Sequence, residues 1–150
     1  MNTYRISLLA FLACWLGAAG ASAQQPPGSP QIIKPEALTY AGPPQIPALG
    51  AAWAIGSEKG PGLYALRVKL RSGGIIPPHT HPDARITTVL AGSLLIGFAD
   101  TVDEKRAVVA TAGDSYLVPA GTPHFIVARG ADVEYQEMGS GGTGTEMLKR

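Results

Sequence analysis

Three histidines are the scarcest polar resource of this 150-residue chain, and their placement is not scattered. His79-Thr80-His81 stands between Pro77-Pro78 and Pro82, and His124 follows Pro119-Ala120-Gly121-Thr122-Pro123. In extended backbone, residues i and i+2 project to one face, so His79 and His81 aim the same way. The flanking prolines stiffen the chain that presents them. Imidazole is the commonest transition-metal ligand, and three of them make a facial set with positions left open for water or substrate. A divalent metal (zinc, manganese, iron, nickel or copper) held by His79, His81 and His124 is one reading. A metal-free cluster of mutually hydrogen-bonded histidines is the other.

Bringing these residues together needs a scaffold of short strands. From Leu63 onward the chain reads as β-like segments separated by Gly, Pro or charged turns. Tyr64, Leu66, Val68 and Leu70 alternate with Ala65, Arg67 and Lys69, which predicts a half-buried strand with Arg67 and Lys69 in solvent. Further strands are expected at 86–90, 94–98, 107–110, 116–118, 125–128 and 133–138. No ten-residue stretch here keeps a helical period. Gly and Pro number 19 and 13, about a fifth of the chain, as many turns require. So many strands at this spacing imply a sandwich or closed barrel, over residues 51–138. Thr87 and Val89 share the parity of Arg85 and are expected to line its interior. Tyr116, Phe125 and Gln136 are further candidates for pocket walls or for groups supporting the site, with ordinary core as the favoured reading of the two aromatics.

The spacing of Gly73, His79, His81, Arg85 and Gly92, followed by Gly113, Pro119, Gly121 and His124, resembles the two motifs of the cupin superfamily. More narrowly, Pro78-His79-Thr80-His81-Pro82, Thr88-Val89-Leu90-Ala91-Gly92 and Pro119–Phe125 look like the small secreted single-domain cupins of bacteria. The resemblance covers about Leu63 to Met138. It implies an all-β double-stranded β-helix, or jelly-roll, barrel with a metal in its mouth. It also implies pairing of two copies through sheet edges. Two positions depart from the pattern: Arg85 stands where a glutamate usually supplies a fourth ligand, and Ala128 where Asn often ends the second motif. Arginine does not ligate metals. Asp83 is a weaker substitute ligand, two positions early. Arg85 is expected either inside the barrel, gripping a substrate carboxylate, or at the rim, paired with Asp83 or Glu104.

The ends of the chain read differently from the body. Residues 1–23 have the form of an export signal: Arg5, an apolar run from Ile6, and Ala21-Ser22-Ala23 as a cleavage site. A lipoprotein reading through Cys14 is the alternative. Removal of the signal takes Arg5 and the single cysteine, leaving a formally neutral chain with no disulfide, in the periplasm or secreted. Residues 24–50 are Pro-rich and predict an extended arm, with Ile32, Ile33, Leu38, Tyr40, Ile46 and Leu49 as apolar anchors, a plain flexible linker being the alternative. Residues 139–150 are read as a Gly-rich tail, whose match to a dinucleotide fingerprint lacks the βαβ setting that motif needs.

The near balance of twelve basic and eleven acidic residues leaves no electrostatic footprint for nucleic acid. After signal cleavage no membrane attachment is expected. The resemblance implies a metal-dependent dioxygenase, or a related lyase or isomerase, on a small anionic molecule. A non-catalytic module that binds a metal and a small ligand, and a purely structural barrel acting as a homodimer, stand beside it.

Overall fold

The computed structural model of the chain describes residues 30–148. The export-signal reading of residues 1–23 lies outside them, as does the start of the Pro-rich arm. Ten strands run in order: β1 (Leu49–Ile55), β2 (Leu63–Leu70), β3 (Ile75–Thr80), β4 (Arg85–Ala91), β5 (Ser93–Gly97), β6 (Val108–Thr111), β7 (Ser115–Val118), β8 (His124–Ala128), β9 (Val133–Ser140) and β10 (Glu146–Met147). They form two antiparallel sheets, ordered β1-β2-β9-β4-β7 and β10-β3-β8-β5-β6. Val68, Leu70, Val89, Val133 and Tyr135 of the first sheet close a core with Ile76, Leu94, Ile96, Ala110, Ile126 and Ala128 of the second. Two packed sheets are one of the two architectures that the strand pattern predicts, and the jelly-roll form is the one that the resemblance implies. Among the described residues the helical content is one 3-10 turn, Pro35–Ala37, and no helix is long and apolar enough to cross a membrane.

The sequence pattern read seven of these strands directly, and β3 needed more. Its Pro77 and Pro78 cannot donate to a ladder, which argues against a strand in the middle of a sheet. The structure accommodates them with an irregularity. Ile76 pairs with Ile126 and His79 with His124, so three steps along β3 match two along β8. That bulge has a functional consequence. With regular pairing, Pro78 would face His124, and His79 and His81 would turn away from the core face that Ile76 occupies. The extra residue reverses the parity and brings both histidines inward.

The ends contribute to the fold as well. β1 begins at Leu49, where the arm had been expected to run on to Gly50, and Ile46, Ala48 and Leu49 pack against the core. Ile32 and Ile33 are exposed, and Lys69 lies over the Tyr40 ring. The Gly-rich end turns at Gly141 and returns, so that Glu146 and Met147 pair with Thr80 and His79.

Gly92 and Gly97 are among the glycines required by close approach. Gly92, with φ +75°, turns the chain between β4 and β5, and a Cβ there would overlap the Asp132 carbonyl. Gly97 sits opposite Phe125, and a Cβ would enter the fully buried ring next to His124. Gly97→Ala is therefore expected to cost about 1–3 kcal/mol as an overpacked core site. A lowered midpoint in chemical denaturation checks this, and an unchanged midpoint would show that Phe125 can shift.

Candidate metal centre

β3, β8 and the residue just after β3 bring the three histidines to one spot. His79 and His124 are direct cross-strand partners with ring centroids 4.2 Å apart, and His81 lies 4.8 Å and 5.1 Å from them. All three are buried, and one ring nitrogen of each lies within 4.8 Å of the others. The Gly121 N–H donates to the His81 carbonyl at 2.8 Å, tying the loop before β8 to the end of β3.

The hydrogen bonds fix the tautomers. Nδ1–H of His79 donates to the Pro77 carbonyl at 2.8 Å, that of His81 to Gly144 at 2.7 Å, and that of His124 to Thr122 at 3.0 Å. A carbonyl only accepts, so each Nδ1 carries the proton and each Nε2 keeps its lone pair. Backbone partners of this kind are what orient metal-binding imidazoles. Burial lowers the His79 pKa to about 4 and that of His81 to about 3, and His124 is lowered in the same way. Neutral imidazoles with free lone pairs result. The Nε2 of His81 is buried without a hydrogen-bond partner among the described residues. Three inward lone pairs, one of them orphaned, fit a divalent metal better than a mutually hydrogen-bonded cluster, which needs N–H groups pointing at one another.

The opposite sheet faces this triad with charge. Arg85 on β4 points into the barrel and is buried rather than lying in solvent at the rim, although it faces Asp83 as the rim expectation had it. Its donors are already engaged: Nη1 with Glu137 Oε2 at 2.5 Å, and Nη2 with Thr143 Oγ1 at 2.6 Å and the Gly144 carbonyl at 3.1 Å. Asp83 Oδ2 lies 3.7 Å from Nε. Asp83 also accepts from the Tyr64 and Thr143 hydroxyls, and Thr143 in turn holds its carboxyl below the usual range despite burial. Glu104, the other rim partner considered, pairs with Arg129 instead. Between the two sheets lies a cavity of about 380 Å³, at the small end of ligand pockets, with His79, His81, Arg85 and Glu137 on its polar side. Trp53, Leu66, Val68, Ile76 and Met147 line the rest.

Glu137 supplies an inner-wall acid from β9 that was not among the residues singled out in the sequence. On β9 the buried Val133 and Tyr135 alternate with half-buried Glu134 and Gln136, and the same parity turns Glu137 inward. Gln136 faces outward and accepts from Arg67, which itself pairs with Glu134 at 2.9 Å and is not the freely solvated residue expected. The parity of Val133 and Tyr135 was the available signal for Glu137. Thr87 and Val89 do line the interior, whereas Phe125 packs on the far side of β8. No sequence signal marked Thr143, whose hydroxyl links Arg85 to Asp83, or Gly144, whose carbonyl links Arg85 to His81.

The cupin family model matches residues 51–148. Germin-like protein subfamily 3 member 3 of Arabidopsis thaliana is 31% identical over 105 residues, 68% of this chain and 49% of that protein. The chain thus spans at most about half the length of the curated relatives it matches, which are plant germin-like proteins. Among solved structures, the polyketide cyclase RemF from Streptomyces resistomycificus superposes with a TM-score of 0.69 at 16% identity, covering 81% of this chain and 87% of its own. An oxalate oxidase superposes with a TM-score of 0.58 at 24% identity, covering 72% and 59%. At these identities the structural likeness establishes the fold alone.

Proposed function

From the premise that the chain belongs to the cupin family, we propose that it is an exported, metal-dependent enzyme acting on a small anionic molecule. The observation that carries this reading is the triad itself. His79, His81 and His124 bring ring nitrogens within 4.8 Å of one another, and each Nδ1 faces a backbone carbonyl that leaves Nε2 with its lone pair. These residues would hold a divalent transition metal, which supplies Lewis acidity and an attraction for anions at its open positions. Arg85 adds little to that attraction, because Asp83 already offsets its charge and its Nη donors are taken by Glu137, Thr143 and Gly144. The apolar wall of Leu66, Val68 and Ile76 accepts a substrate's carbon skeleton and keeps water from it. Export and a homodimer paired through sheet edges are parts of the same proposal.

The experiment is metal analysis of the untagged protein, joined to a turnover screen across thiols, diketones and phenolic acids. About one equivalent of metal is expected, with turnover of at least one anionic compound. Metal-free protein whose stability ignores added metal would overturn the proposal. A second reading is favoured by the segment 143–147, which bonds both His81 and Arg85 across the cavity: the protein holds a ligand without converting it. Metal-replete protein that binds members of the panel and turns over none would establish that reading.

A further inference from the structure

The charged cluster opposite the histidines contains one cation and two carboxylates. Arg85 lies between Asp83, 3.7 Å away, and Glu137, 2.5 Å away, with all three largely out of water. A single guanidinium offsets one carboxylate, and two like charges sharing a buried site drive one of them to take up a proton. The hydrogen bonds identify which one. Asp83 accepts from the Tyr64 and Thr143 hydroxyls besides facing Arg85, and those donors favour its ionised form. Glu137 accepts from Arg85 alone among the described residues. Its register places it on the cavity wall, between Leu66 on β2 and Thr87 on β4. Other charged or titratable groups face it as well: Tyr116 from β7, and His79 and His81 across the cavity. Burial raises the pKa of Tyr116, and of Tyr135 beside it on β9, and lowers that of the histidines. All of these groups therefore stay neutral around pH 7 and leave the proton to Glu137.

We propose that Glu137 is the proton-carrying group of this cavity, with Arg85 as its positioning residue, and that the anions converted here are ones whose reaction moves a proton. The inference rests on the metal-dependent reading above and deepens it. The step balances without a co-reactant. The neutral Glu137 carboxyl gives its proton to one atom of the bound anion, and the carboxylate so formed takes H⁺ from a C–H or O–H of the same molecule, which restores the carboxyl. No electron leaves the substrate, so isomerisation and elimination are the classes that fit. Burial also raises the Glu137 pKa above its ordinary 4.5.

The test compares the full-length chain with Glu137→Gln, which keeps the shape of a protonated glutamic acid. A raised pKa means that the folded state binds a proton the unfolded chain has released. The stability of the unaltered protein relative to Glu137→Gln should therefore fall as pH rises from about 4.5, and level off above the folded-state value. A difference that stays flat or grows with pH would mean a permanently ionised partner of Arg85, and would overturn the proposal. If the variant does not fold, carboxyl ¹³C NMR of the unaltered protein decides. One glutamate titrating well above the rest is expected, and none doing so overturns the assignment. Metal content, measured on the same samples, reports separately on the metal-dependent reading.

Discussion

His124→Ala is expected to purify with less than a tenth of the metal carried by the unaltered chain, and to melt at one temperature whether or not metal is added. His124 is the only ligand of the three that comes from β8, and it stands directly opposite His79. Removing it leaves His79 and His81, two lone pairs from one stretch of chain, which no longer define a facial set. A ligand that binds only the folded state stabilises it by about 2.7 kcal/mol at a concentration 100 times its Kd. Loss of that increment should appear as loss of the metal-induced shift in melting temperature. Measuring the shift, rather than the melting temperature alone, separates lost ligation from the packing cost of deleting a buried ring. A His124→Ala protein with full metal content would remove His124 from the centre.

The same histidines make the metal-free protein acid-sensitive, and the sign follows from their lowered pKa values. Below the ordinary pKa of 6.5 an unfolded chain protonates its imidazoles, whereas His79 stays neutral until about pH 4 and His81 until about pH 3. Stability is therefore lost as pH falls through that window, and the loss levels off below it. At about 1.4 kcal/mol per pH unit, His79 alone accounts for a loss on the order of 3 kcal/mol. Thermal unfolding of metal-free protein between pH 7 and pH 4 checks this. A melting temperature that does not fall over that range would contradict the neutral, buried state of the rings.

How much of this was legible in the sequence depends on how far each feature rests on local pattern. The alternation in β2 and β9 fixed which face each residue takes, and taken two residues further along β9 it reaches Glu137. The histidine cluster was legible from residue type and spacing. The means of turning His79 and His81 inward was not, because a bulge at Pro77 and Pro78 shows only against the register of β8. The role of residues 143–147 was hidden for a different reason. Their contribution to the site includes backbone groups, the Gly144 carbonyl to His81 and to Arg85, and backbone groups carry no sequence signature. Arg85 was singled out as a departure. Asp83, two residues away, was within local reach as a partner, but the partners of the Arg85 Nη donors lie at separations of 52 and 58 residues and could not be read locally.

Arg85→Glu should make the metal-free protein much less stable and its metal binding tighter, two effects of opposite sign from one side chain. In the metal-free state the change places three carboxylates together, at positions 83, 85 and 137, and frees Thr143 and Gly144 from their donor. Breaking a buried pair by removing one partner typically costs about 3–5 kcal/mol, and the added acid increases the repulsion unless protons are taken up. The cupin resemblance puts the fourth metal ligand at this position, and Arg85 already points into the cavity that contains His79 and His81. A carboxylate there gives the dication a charged partner that three neutral imidazoles lack, so a gain in metal affinity of at least about tenfold is expected, 1.4 kcal/mol or more. Saturating metal should then raise the melting temperature of Arg85→Glu further than it raises that of the unaltered protein. Arg85→Met separates the contributions, because it removes the same cation and the same contacts to Glu137 and Thr143 without supplying an acid. It should share the loss of stability and gain no affinity. Equal metal affinity in the two variants would show that the side chain at position 85 does not reach the metal, and that the arginine serves Glu137 and the returning C-terminal segment alone.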